Sequence, residues 1–310
     1  MLDVINITAP IFLLILAGYL GVRFAILPKE ALPGMSRFVL YYALPALIFS
    51  KLINMQVSDV IKPQFLLVYG LGGLLTMALT ILASRLIFKD KWQLAGIRGM
   101  GAAMPNSVFI GFPILLQLFE HPPVAAFSMA LLVENLLLMP LALLFIEGTS
   151  VQSSTRQTAM GKTLLKRCLR NPIIIAVFAA MFGMAVELQL PMVIARSLDM
   201  LTAGAAAVAL VIIGGSLVGC SVRDNLGQIA LVSLSKLLMF PLVVSALLLL
   251  TPELSHEHKL ALLIFSAMPM FSIYPIIGNE YGEGRFCASS LLLTTIVSFI
   301  SISLLLHIIV

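Results

Sequence analysis

Of the 310 residues, 60% are hydrophobic and only 11% charged, against roughly a quarter charged in a soluble domain, so the chain cannot cover itself with polar surface. Its net charge of +5 comes without a basic stripe interleaved with aromatics, which excludes nucleic acid as the partner that would explain it. The composition is that of an integral membrane protein whose immediate partner is the lipid bilayer.

A helix needs about 20 largely apolar residues to cross the hydrocarbon core. Such stretches run at 8–24, 34–53, 64–87, 95–119, 123–147, 169–188, 198–219, 227–250, 259–279 and 286–308. This pattern predicts an all-α protein of ten spans with no soluble domain left over. The first stretch follows Asp3 with no Lys or Arg before it, so it lacks the basic start of a secretory signal and reads as a retained span. With all ten in place, 14 basic residues fall in or beside the odd-numbered loops, among them Arg85, Lys89, Lys91 and Arg98 after span three. The even-numbered loops hold Lys51, Lys62, Arg196 and Lys259. The side richer in Lys and Arg is cytoplasmic, which puts both termini outside. Cys168, Cys220 and Cys287 then lie near cytoplasmic helix ends, where thiols stay reduced.

Self-similarity divides the chain. Ala103, Met104 and Pro105 in span four recur as Ala267, Met268 and Pro269 in span nine, 164 residues on. Pro10 pairs with Pro172 at an offset of 162, and Pro28 with Pro191 at 163. The expected organisation is a first five-helix repeat over 1–147, a cytoplasmic linker over 148–168 and a second repeat over 169–310. Five is odd, so the second copy inserts upside down, giving the inverted repeats found in many secondary transporters.

Two spans are interrupted at equivalent places. Span four carries Pro105, Asn106, Ser107, Gly111 and Pro113, and span nine carries Pro269, Ser272 and Pro275. A proline removes one backbone donor and clashes with the preceding turn, freeing groups that lipid cannot satisfy. Two such breaks present half-helix N-termini near the midplane, a natural seat for a carboxylate. Asn106, Ser107 and Ser272 add side-chain donors and acceptors and are the candidate substrate ligands.

Glu134, beside Asn135 in span five, and Lys236 in span eight lie near span centres. A charge at that depth costs about 2.5–3.5 kcal/mol on insertion scales and calls for a partner or neutralisation. Pairing with each other is the economical expectation. The pair then either locks two helices together or couples transport to a proton.

Other signals are weaker. Tyr41 and Tyr42 read as packing or interfacial aromatics, and Gly215 and Gly219 as a small-xxx-small packing pair. His256 and His258 sit in an outer loop without further ligands, so no metal site is expected. Gly214, Gly215 and Ser216 begin like a nucleophile elbow, but Val218 stands where glycine is required. With no zinc motif and no phosphate loop either, the chain reads as no enzyme, without cofactor, and its driving force as an ion gradient or the substrate's own.

Several ordered motifs resemble the auxin efflux carrier family, which includes bacterial carriers assigned to malonate and the plant auxin exporters. Pro10, Ile11, Phe12 through Gly18 and Tyr19 look like its first span, and Tyr42, Ala43, Leu44, Pro45, Ala46 through Phe49 like its second. Asn106 through Gly111 and Pro113 look like its first crossover, Lys236 through Pro241 like its eighth-span signature, and Tyr281 and Gly282 like its turn after the second crossover. The resemblance implies ten helices in two inverted five-helix repeats, with helices four and nine broken and crossing, and a transport domain that moves against a scaffold. It carries over Pro105, Asn106, Pro113, Pro269 and Lys236. Met270 and Phe271 follow Pro269, so the second crossover has Ser272 rather than an Asn to match Asn106. The long hydrophilic loop of plant exporters is absent, which favours a bacterial-type carrier. The expectation is an inner-membrane carrier for a small organic anion such as malonate, working by alternating access with a proton or sodium gradient or as a uniporter, and a homodimer by analogy. The alternatives are a sodium-coupled symporter of bile-acid-carrier type and a membrane sensor or scaffold that binds ligand without moving it.

Overall fold

The computed structural model describes residues 2–55, 60–149, 170–219, 225–251 and 253–309. Nearly all of the expected linker, as well as Cys168 and Cys220, lies outside them. The described chain is helical in each predicted stretch, with α1 (Leu2–Arg23), α2 (Lys29–Leu52), α3 (Pro63–Phe88), α4 (Trp92–Ala103), α5 (Ser107–Leu118), α6 (Val124–Gly148), α7 (Pro172–Ala185), α8 (Met192–Ser216), α9 (Leu226–Leu248), α10 (His256–Ala267), α11 (Tyr274–Glu280) and α12 (Gly284–Ile309). Six of them, α2, α3, α6, α8, α9 and α12, are long and apolar enough to cross a bilayer. The described part of α1, α5 and α7 are shorter apolar helices. Predicted span four is α4 plus α5, and predicted span nine is α10 plus α11. The largest boundary differences are at α1 and α8, which start at Leu2 rather than 8 and at Met192 rather than 198; at α8 it is Arg196 that interrupts the apolar run.

Four helices share a local device that follows from proline chemistry. Wide π turns cover Val39–Ala43, Ser107–Gly111, Glu134–Leu138 and Ser235–Met239. Each ends two residues before a proline, at Pro45, Pro113, Pro140 and Pro241. A proline ring collides with the carbonyl four residues earlier and offers it no donor. That carbonyl belongs to Tyr41, Phe109, Leu136 or Leu237, inside the π turn in every case. Widening the turn relieves the clash while the helix continues, and such bulges recur at functional sites.

The chain forms two compact units, each assembled from both halves of the sequence. One comprises Met1–Pro63, Val108–Leu131 and Cys168–Val218; the other Gln64–Ser107, Leu132–Arg167 and Gly219–Val310. In the first, α1 packs along α8, and α2 along α7. Small residues set the closest approach of α1 and α8. A Cβ on Gly214 would lie 1.7 Å from the Ile15 carbonyl oxygen, and one on Gly18 would lie 2.1 Å from that of Val211, so only glycine fits. The small-residue contact therefore pairs Gly214 with the Gly18 region. Gly215 meets Val22 and Leu32, and Gly219 lies beyond α8 at φ 87.

In the second unit α3 lies against α6 and α9, and Gly73 and Gly72 leave space there for Leu138 and Val244. α4 packs on α6, and α10 on α12. Tyr274 of α11 lies over Gly101 of α4 and donates its hydroxyl to the Ile97 carbonyl at 3.0 Å. A side chain at position 101 would take the place of that ring.

Candidate functional site

Both helix breaks lie within the second unit, and their backbones satisfy each other. After Ala103 the chain turns extended at Met104 (φ −97, ψ 107), and after Ala267 at Met268 (φ −63, ψ 150). The two extended segments run antiparallel with Pro105 opposite Met270. The Asn106 N–H donates to the Pro269 carbonyl at 2.8 Å, and the Phe271 N–H to the Met104 carbonyl at 3.1 Å. Pro105 occupies the position of an antiparallel pair that makes no ladder hydrogen bond, so its missing N–H costs nothing. Pro269 lacks the N–H that a return bond to Asn106 would need, so the ladder stops at one bridge. Backbone freed at membrane depth is thus satisfied by protein.

Only the first proline of each predicted pair marks an interruption. Pro113 follows the π turn closed by Gly111 and sits in the first turn of the α-helical part of α5; Pro275 is the second residue of α11. At the start of α11, the donor that Pro275 lacks is one the helix would leave unpaired anyway.

Of the predicted ligands, Asn106 and Ser272 meet directly, Asn106 Nδ2 donating to Ser272 Oγ at 2.9 Å. Ser272 therefore supplies the polar partner that an asparagine was missing to provide. Ser107, the first residue of α5, turns to Glu134, its Oγ donating to Oε1 at 2.5 Å. Tyr69 OH of α3 donates to the same oxygen at 2.8 Å. Asn106, Ser107 and Glu134 are at most 4% exposed. Asn135 is half-buried beside them.

The direct pairing expected of Glu134 and Lys236 is not made, and among the described residues no salt bridge joins them. Lys236, fully buried, donates its Nζ to the Ser266 carbonyl at 2.8 Å and lies 4.3 Å from the Phe240 ring centre. Ser266 is in the last turn of α10, where unpaired carbonyls form the negative end of the helix dipole and suit an ammonium. The Tyr69 ring stacks on Phe240 at 5.8 Å, so Tyr69 touches Glu134 with its hydroxyl and the lysine's aromatic neighbour with its face. Ser107, Glu134 and Lys236 each stand in the first two residues of a π turn.

Tyr69 was not legible as a site residue, because one tyrosine in an apolar span reads as packing. Arg98 was counted among the loop charges, yet it is 2% exposed in α4 and paired with Asp90. Arg98 Nη1 also donates to Ser84 Oγ at 3.0 Å, Ser84 Oγ to Asp90 Oδ2 at 2.6 Å, and the guanidinium lies over the Phe286 ring. In the turn before α12, partial burial pushes the Glu283 carboxyl above its ordinary value, an effect that the Arg98 guanidinium opposes. His258 turns out to stand in the first turn of α10, its Nδ1 within hydrogen-bond distance of Ser255 Oγ. Among the described residues no three His, Cys, Asp or Glu side chains are grouped to hold a metal.

Residues 3–306 match the model of a family described as membrane transport protein. A Rhizobium meliloti protein described as a candidate malonate transporter is 23% identical over all of this chain and 97% of its own length. An uncharacterized transporter of Methanocaldococcus jannaschii is 26% identical over 95% of both chains. The lysosomal cholesterol signaling protein of Mus musculus is 26% identical over 79% of this chain, a match spanning only 28% of the mouse protein. With its length covered almost end to end, the chain belongs to the membrane transport protein family, that of the auxin efflux carriers, and is a transmembrane transporter rather than an enzyme.

Proposed function

We propose that this protein is a secondary transporter that carries a small organic anion, of the short-carboxylate class that includes malonate, across the bacterial inner membrane by alternating access at the paired helix breaks. The observation that carries the reading is the meeting of Asn106 and Ser272 across those breaks, one residue before the N-terminus of α5. Amide, hydroxyl and helix N-terminus are groups that favour a carboxylate. The name of the Rhizobium relative points to the same substrate class.

Ten spans in two inverted repeats fit the helix order, with α4 plus α5 and α10 plus α11 each counted as one broken crossing. An offset of about 163 equates α1 with α7 and α2 with α8. The packing of α1 on α8 is then the counterpart of α7 on α2, and α4 on α6 that of α10 on α12, as a two-fold relation between the halves requires. Each compact unit also draws equivalent helices from both halves. Both termini lie outside, by the distribution of basic residues, and a homodimer is the assembly suggested by analogy.

Uptake of labelled malonate and related short carboxylates into proteoliposomes, with pH and sodium gradients imposed separately, tests this reading. Saturable uptake driven by a proton gradient, or by neither gradient, supports it; dependence on sodium alone favours a bile-acid-carrier-like symporter. Binding without flux favours a membrane sensor, the reading to which the name of the mouse relative points.

A further inference from the structure

We propose that Ser107 is a relay between a proton on Glu134 and an anion at the paired breaks, so that proton and anion are taken up together. The proposal rests on the carboxylate-carrier reading and adds to it a residue and a coupling.

A serine hydroxyl has one proton to donate. In this structure Ser107 gives it to Glu134 Oε1, the oxygen that also accepts from Tyr69. Ser107 also opens α5, one residue after Asn106, whose backbone and side chain both engage the second break. Ser107 thus meets the acid through its hydroxyl and adjoins the proposed seat of the anion through its neighbour in the chain, and the hydroxyl can serve one of them at a time. To an ionised Glu134 its hydrogen bond is charge-assisted, roughly twice as strong as a bond between neutral groups. Once Glu134 takes a proton from water, that bond becomes neutral, and an arriving carboxylate is the stronger acceptor. Ser107 then turns its hydrogen to the substrate, and the reverse turn accompanies release of anion and proton.

Charge balance favours the same order. The titratable groups facing Glu134 are Tyr69 from α3 and Lys236 from α9, with Ser107 of α5 as the remaining partner. An ionised Glu134 already balances the Lys236 ammonium, so an added anion would leave a net negative charge where burial penalises it. A protonated Glu134, the ammonium and one carboxylate sum to zero.

The test is malonate binding to the purified full-length protein, measured calorimetrically between about pH 6 and about pH 8, for wild type, Glu134→Gln, Ser107→Ala and Ser107→Thr. The titration of malonate itself is common to all four proteins and cancels in ratios of Kd. Relative to Glu134→Gln, which stays neutral, wild type should weaken by up to about tenfold per pH unit as pH rises. Ser107→Thr keeps a hydroxyl and should follow wild type, whereas Ser107→Ala, which keeps the Glu134 charge but loses the hydroxyl, should show a shallower pH profile, between wild type and Glu134→Gln. If Ser107→Ala keeps the wild-type profile, the relay is overturned while the carrier reading stands. Parallel profiles for wild type and Glu134→Gln overturn it equally. Failure of wild type to bind malonate or any other short carboxylate overturns the carrier reading and the relay with it. Should Glu134→Gln fail to fold, the protons taken up per malonate bound, read with an indicator dye in weak buffer, are compared between wild type and Ser107→Ala, so that malonate's own titration cancels; greater uptake by wild type supports the relay, and equal uptake overturns it.

Discussion

Removing the Asp90 carboxylate would strand the Arg98 guanidinium where water scarcely reaches it. Arg98 is 2% and Asp90 8% exposed, and Ser84 bonds to both. Breaking a buried pair from one side costs about 3–5 kcal/mol, whereas replacing both partners with apolar groups is often close to neutral. Asp90→Ala should therefore lower the thermal midpoint in detergent by several degrees, and Asp90→Ala combined with Arg98→Met should recover much of the loss; a strictly additive double mutant would show that the pair is not coupled. Tyr69→Phe keeps the ring on Phe240 but removes one donor from Glu134, and should cost about 1.5–3 kcal/mol in the same assay. The sequence made Glu134 and Lys236 legible, because a charge in the middle of an apolar run is conspicuous. Their partners were hidden, since a tyrosine at membrane depth and a main-chain carbonyl at the end of a half-helix carry no mark in a sequence.

Proline positions made the helix breaks legible, and their spacing singled out Pro105 and Pro269 as matching positions. What the spacing could not distinguish is a proline that stops a helix from one that widens it. Pro105 and Pro269 lie in extended chain, whereas Pro113, Pro140 and Pro241 follow π turns that let the helix continue. Which outcome follows depends on whether another segment can satisfy the freed groups, and that is a tertiary fact. The antiparallel bridge itself can be tested. Facing residues that make no ladder hydrogen bond have Cα atoms about 4.5 Å apart, within disulfide reach. The double variant Pro105→Cys and Met270→Cys should cross-link under mild oxidation, as seen by mass spectrometry of its peptides, while Pro105→Cys with Ile276→Cys, whose second site is exposed, should not. In the other unit, Gly214→Ala would press a methyl group against the Ile15 carbonyl, whereas Gly204 has open space around its Cβ position. Overpacking of this kind costs about 1–3 kcal/mol or more, so Gly214→Ala should lower the thermal midpoint and Gly204→Ala should leave it nearly unchanged.

For the whole molecule, composition established the membrane class, and the recurrence near 163 residues suggested how equivalent helices correspond. The grouping of those helices into units that each mix both halves was beyond sequence reasoning, because it is set by contacts such as Gly18 and Gly214 between residues almost 200 positions apart. The proposed anion site belongs to this scale as well, since Asn106 and Ser272 can serve the purpose proposed for them only when the two breaks pair. The most direct test of that purpose is uptake of labelled malonate into proteoliposomes by wild type and by Asn106→Ala, with empty liposomes as control and the folded state of both proteins verified. Saturable flux in wild type that falls at least about tenfold in Asn106→Ala, the loss of about 1.4 kcal/mol of binding, is the expected result. Equal flux through both proteins would contradict an anion site at the paired breaks.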